Sequence, residues 1–203
     1  MFSIQESLKY GWEKFKANLE LVLLTTLFTL VLGFVGDKIH WVISVILIVV
    51  SIIVRIGYTK LFLRMSDDET PKFVDIFKEY RLFWKYLVTS ILQGLAILGG
   101  LILLIIPGII FAIKYSFAPL ILIDTKIDPI GAMKESTVLT KDKKWSLLGF
   151  YSVLALVNIA GILALGVGLL VSIPVSMFAH IFVYRELTKS KAGVLQTASP
   201  QSA

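Results

Sequence analysis

The chain has 203 residues, of which 57% are hydrophobic and 17% charged, with a formal net charge of +6 and no cysteine. The apolar excess excludes an ordinary soluble domain, and the missing thiols exclude disulfides, thiolate metal sites and cysteine nucleophiles. Because the basic residues flank long apolar runs, anionic lipid headgroups are the expected partner and nucleic acid is not. His40 and His180 stand far apart without a second ligand at metal spacing, so neither metal nor cofactor is expected.

Ser3 and Glu6 have the spacing of a capping box. The segment they open sets Ile4, Leu8, Trp12, Phe15 and Leu19 at helical spacing, which predicts an amphipathic helix in the headgroup region. The uncharged run from Leu21 to Gly36 follows, with Glu20 at its mouth. A bilayer crossing needs about 20 mostly apolar residues. No small-residue cleavage site closes the run, so it reads as a retained first span. Across the short turn Gly36-Asp37-Lys38, a second span runs from Ile39 to Val54 and on past Arg55 towards Lys60.

Thr70-Pro71 is a second helix start, with Phe73, Ile76, Phe77, Tyr80 and Trp84 predicted on one face of another surface helix. The uncharged run from Tyr86 to Ile113 contains Pro107-Gly108, a pair that ends helices and permits reversal. Span three is therefore expected to end near Ile106, and span four to run from Ile109 to Ile123. Asp128-Pro129 opens a third, weaker surface helix with Ile130 and Met133. From Trp145 to Tyr184 no Asp, Glu, Lys or Arg occurs in 40 residues, enough for two crossings turning near Gly161, Gly166 and Gly168.

These readings add up to an all-α polytopic membrane protein of six transmembrane helices with interfacial amphipathic helices. Residues 1–191 form a single integral membrane domain, and residues 192–203 a disordered cytoplasmic tail. Basic residues crowd every second connection and both ends, which places both termini in the cytoplasm of a cell-membrane protein. Each charged segment carries two lysines seven apart: Lys9 and Lys16, Lys78 and Lys85, Lys134 and Lys141. The spacing predicts three parallel hairpin repeats, at about residues 3–65, 70–127 and 128–189, around a pseudo-threefold axis along the membrane normal.

Pro107-Gly108-Ile109, Phe117-Ala118-Pro119, Ala132-Met133-Lys134-Glu135-Ser136, Leu139-Thr140-Lys141 and Trp145 resemble the membrane domain of glycerophosphodiester phosphodiesterases and of related six-span bacterial and archaeal proteins. The resemblance is specific from Pro107 to Leu187. In the phosphodiesterases this domain is fused to a separate catalytic one, so the resemblance implies a membrane module and no active site.

Four polar residues stand out inside the spans. Lys114 lies near the middle of span four, where a lysine costs about 2.5–3.5 kcal/mol on insertion scales; it either serves function or snorkels to an interface. Arg55 is expected to anchor span two at the inner interface. Gln93 and Asn158 are expected to bond across neighbouring helices, and Gly94, Gly99, Gly100, Ala160, Ala164 and Gly168 to permit close packing. Asp124, Lys126 and Asp128 fit either a cation or headgroup site or a solvated loop with a helix cap. No catalytic triad, phosphate loop, HExxH or paired intramembrane carboxylate occurs, so no enzyme is expected.

The leading functional expectation is a non-enzymatic module that binds lipid headgroups or a membrane-protein partner through Lys9, Lys16, Lys78, Lys85, Lys134 and Lys141, in an envelope or stress role. The alternative is a small transporter or channel with its path along the pseudo-threefold axis. Convergence of Lys114, Arg55 and Asn158 on a polar cavity favours the alternative; headgroup or helix contacts favour the module.

Overall fold

The computed structural model describes residues 2–34, 41–164 and 166–198, and every regular element among them is helical. The Gly36-Asp37-Lys38 turn and His40 lie outside the described residues. Five units are long and apolar enough to cross a membrane: Ile46–Ser66, Phe73–Leu103, Ile105–Thr125, Lys144–Leu163 and Leu169–Ala192. A sixth apolar helix, α2 (Leu19–Phe34), meets α1 (Ile4–Ala17) at 98°.

Ser3 caps α1 as expected, its Oγ accepting from the Glu6 N–H at 3.4 Å. The docking face differs from the expected one. Ser7, Gly11 and Phe15 are buried, whereas Trp12 and Leu19 are both 46% exposed. Small residues decide this face: Gly11 lies directly on the backbone of α9 (Leu169–Ala198) at Val175 and Ala179, an approach any β-carbon would block.

The second surface segment is not an α-helix. After α3 (Trp41–Ser66) come two 3₁₀ turns, Phe73–Phe77 and Tyr80–Leu82. Of the five residues expected on its apolar face only Ile76 is fully buried; Trp84 is 71% exposed. The Ile76 backbone is seated on Gly57 of α3. Asp75 accepts from the Lys72 N–H at 3.0 Å and pairs with Arg64 at 2.9 Å, which holds the turn short.

The next hairpin reverses at Leu104, whose backbone is extended (φ −170°, ψ 157°), between α4 (Phe83–Leu103) and α5 (Ile105–Lys114). The reversal expected at Pro107-Gly108 thus falls three residues earlier. Pro107 falls in the first turn of α5, where its missing N–H has no intrahelical partner to lose. Gly100 and Gly108 face each other there and bring the two helices close.

The chain breaks a second time at Tyr115–Phe117, within the next span and before α6 (Ala118–Thr125). The break frees the Lys114 carbonyl and the Phe117 N–H. One side chain of α7 (Pro129–Leu139) serves both: the Ser136 hydroxyl donates to the Lys114 carbonyl at 2.8 Å and accepts from the Phe117 N–H at 3.3 Å. A broken helix at that depth requires such re-satisfaction.

Asp128 caps α7 by accepting from the Gly131 N–H at 2.9 Å. α8 (Lys144–Leu163) and α9 close the bundle around the expected turn, with Gly166 at φ 75°. Gly161 and Gly168 pack on each other. Gly94 and Gly99, expected to pack, have open space where a side chain would go. α9 continues helical from Ala192 to Ala198, into the segment expected to be disordered.

Charged side chains gather at one end of the bundle, and so does the core. The largest fully buried side chains include Ile56, Phe62, Met65, Ile76, Phe117, Ile121, Phe150 and Phe178. Ile56, Phe62 and Met65 lie in the half of α3 nearer its charged end, and Phe150 in the corresponding half of α8.

Candidate functional site

Helical spacing inside the apolar spans brings polar side chains onto one face. On α3 these are Ser51, Arg55, Tyr58 and Thr59; on α4, Tyr86, Ser90 and Gln93; on α9, Ser176 and His180. Thr26 and Thr29 of α2, Ser116 at the α5–α6 break and Asn158 of α8 complete the set. They line a cavity of about 990 Å³. Leu30, Leu32, Ile97, Leu120, Ile173 and Met177 supply its apolar surface.

Packing follows a closed order, α2 on α3, α3 on α4, α4 on α5, α5 on α8, α8 on α9 and α9 on α2; the cavity they surround stays wide open, and Arg55 on its lining is exposed. It lies deep. Arg55 is 11 residues from the Ser66 end of α3, about 16 Å at 1.5 Å per residue. Gln93 is 10 residues into α4, about 15 Å from its start.

Towards the charged end α3 crosses to α6 and α9, and aromatic rings form a floor. Tyr58 and Phe62 are 4.4 Å apart, Phe62 and Phe178 4.5 Å, and Phe117 stacks on His180 at 4.7 Å. Beneath the floor lies an ion cluster. Arg185 pairs with Asp124 and with Asp67, each at 2.7 Å, and Tyr184 donates to Asp124 at 2.9 Å. Among the described residues, no large fully buried side chain lies at the other end beyond Leu32, Ser51, Ile97 and Ile173.

Arg55, Gln93 and Asn158 therefore share one cavity, with Arg55 midway along the Ile46–Ser66 span. Asn158 also joins α8 to α9. Its amide donates to Ser176 Oγ at 3.0 Å and to the Leu154 carbonyl at 2.8 Å, and its oxygen accepts from Ser172 at 3.0 Å. Arg55 has no carboxylate within ion-pair distance among the described residues, and Gln93 makes no side-chain hydrogen bond to them.

Lys114 does not line the cavity. It ends α5 with its ammonium 5.2 Å from the Tyr115 ring centre and 5.8 Å from that of Phe111. Two aromatic faces thus shelter the charge.

Asp124, Lys126 and Asp128 do not form a shared site. Asp124 belongs to the ion cluster, Lys126 pairs with Glu79 at 3.1 Å, and Asp128 caps α7. The Gly131 N–H holds the Asp128 carboxyl below the ordinary carboxylate range.

The six spaced lysines occupy unlike settings. All six are exposed, but Lys9, Lys16, Lys134 and Lys141 differ from the other two in their contacts. Lys78 pairs with Asp75 at 2.5 Å, and Lys85 donates to the Lys126 carbonyl at 2.9 Å.

Sequence reasoning passed over Tyr58, Tyr86, Ser90, Ser176 and His180. The signal was there: Ser51-Arg55-Tyr58 and Tyr86-Ser90-Gln93 are polar stripes at i, i+4, i+7 within apolar helices, the period of one helical face.

No protein-family model matches the chain, and no solved structure matches it. Three curated relatives do: an uncharacterized protein of Mycobacterium bovis and one from each of two strains of Mycobacterium tuberculosis. Each is 32% identical over 123 residues, covering 60% of this chain and 37% of the relative. The chain thus spans little more than a third of their length, and their names give no activity.

Proposed function

We propose that the protein is a non-enzymatic membrane protein that holds a solute in its central cavity and passes it along that axis. One observation carries the reading: Arg55 and Gln93 converge with two tyrosines and several hydroxyls on an open cavity midway along the apolar helices. Intramembrane ionisable side chains are costly, and those facing a cavity mark substrate pathways. The sequential order of hairpins around the cavity supports a pseudo-threefold arrangement. So do matching left-handed turn residues after the second span of the first two hairpins, Asp68 (φ 61°) and Lys126 (φ 59°).

The charged end faces the cytoplasm in this proposal, by the excess of basic residues there. Trp12, Trp84 and Trp145, 46%, 71% and 85% exposed, form an interfacial aromatic belt at that end. Exposed Lys9, Lys16, Lys134 and Lys141 then rest against anionic headgroups and seat the module without defining its substrate.

The aromatic floor and ion cluster close the cytoplasmic side, so the cavity loads from the outside. Single cysteines replacing Ser90 and Gln93 are expected to react with an impermeant thiosulfonate added to intact cells. A cysteine replacing Phe62 is expected to stay unlabelled from outside. A cysteine at Lys38, in the connection expected outside, serves as positive control. Labelled Lys38 with silent Ser90 and Gln93 positions would sink the outward-loading pathway.

A further inference from the structure

We infer that the ligand is an amphipathic anion, its carboxylate or phosphate held by Arg55 and its apolar body lying along Leu32, Ile97, Ile173 and Met177. This rests on the reading of the cavity as a solute site.

The charge balance of the lining carries the argument. Arg55 is the one charged side chain among the lining residues, and no Asp or Glu is among them. A guanidinium stays protonated at any accessible pH. The less exposed carboxylates of the charged end are all engaged elsewhere: Asp75 by Arg64 and Lys78, Glu79 by Lys126, Asp124 by Arg185, Glu135 by Lys191. The counter-charge for Arg55 thus has no source among the described residues, and an incoming anion supplies it.

Geometry points the same way. The guanidinium fork matches a planar or tetrahedral oxyanion in bidentate fashion. Tyr86, Ser90 and Gln93, on one face of α4, offer further neutral donors to the same cavity. A cation would meet Arg55 with no acid to hold it, and a neutral polar solute would leave that charge unpaired at depth. The apolar lining calls for more than a bare inorganic ion, and the volume lies at the upper end of the range usual for small-molecule sites.

The chemistry is shared by an anionic lipid and by a water-soluble organic anion, and the test separates them. Full-length protein, delipidated in neutral detergent, is titrated with oleate, dioleoyl phosphatidate, phenyl phosphate and dodecyltrimethylammonium, with binding read by intrinsic fluorescence. At least one anion is expected to bind. Arg55→Gln should weaken that binding roughly tenfold to a hundredfold, the scale of losing a charged hydrogen-bond partner. Arg55→Lys should retain part of it, and Lys189→Gln, on a side chain outside the cavity, should leave it unchanged.

Should Arg55→Gln fail to fold, Ser90→Trp fills the cavity and is expected to weaken anion binding comparably. Binding confined to oleate and phosphatidate assigns a lipid source; binding of phenyl phosphate assigns a soluble one. Anion affinity indifferent to both Arg55→Gln and Ser90→Trp overturns the inference, as does tighter binding of the cation. If no anion binds while cysteines at Ser90 and Gln93 still label, the anion assignment falls and the cavity reading stands.

Discussion

Gly57→Ala is expected to destabilise the protein by about 3 kcal/mol or more, although it adds one methyl group. A β-carbon on Gly57 would run into the Ile76 carbonyl, with the Ile76 carbonyl carbon and α-carbon at 2.5 and 2.6 Å. Those are backbone atoms, so no rotamer relieves the clash. The Phe73–Phe77 turn must lift away, taking buried Ile76 and the Phe28–Phe73 edge contact (5.6 Å) with it. Gly99→Ala, also in a helix, meets open space and should be neutral or stabilising by about 0.4–1 kcal/mol. Paired thermal midpoints of the two variants in the same detergent check this, and equal midpoints would contradict the docking of the turn on α3.

Removing Arg185 is expected to give the next largest loss. Its guanidinium joins Asp124 and Asp67, drawn from the α6 and α3 ends of the cavity floor. Asp124 is 15% exposed and Arg185 29%, between a surface pair worth under about 1 kcal/mol and a buried one whose breakage costs about 3–5. Arg185→Met should therefore cost about 2 kcal/mol, most of it from stranding Asp124, since Lys60 stands off at 3.9 Å. Asp124→Asn in the same chain should recover much of the loss. The double-mutant cycle, read as thermal midpoints, checks the coupling; additive losses would mean that the two side chains act independently.

The apolar helices were legible because hydropathy and length alone bound them. The caps at Ser3 and Asp128 were legible because capping chemistry is local. What failed depends on what a segment packs against. Thr70-Pro71 reads as a helix start, yet Gly57, thirteen positions upstream of Thr70, admits the backbone of a 3₁₀ turn. Pro107-Gly108 reads as the reversal between two spans, and the chain does reverse close by, at Leu104, because a proline is tolerated in the first turn of α5; the second break, at Tyr115–Phe117, carries no local signal and is mended by α7.

The candidate site was half legible. Arg55, Gln93 and Asn158 stood out as polar residues in apolar spans. Their convergence did not, because it depends on the rotation of each helix about its axis. Lys114 stayed open between function and snorkelling for the same reason: depth is readable in a sequence, the direction a side chain faces is not.

That direction is measurable. Spin labels at Gln93→Cys and Leu95→Cys, two residues apart on α4, sit on opposite sides of the wall, with Leu95 61% exposed on the outer surface of the bundle. In lipid bilayers the label at position 93 is predicted to collide more often with a water-soluble nickel chelate than with oxygen, and the label at position 95 to do the reverse. Oxygen-dominated collisions at both positions would mean that no polar cavity exists at mid-span and would contradict the account.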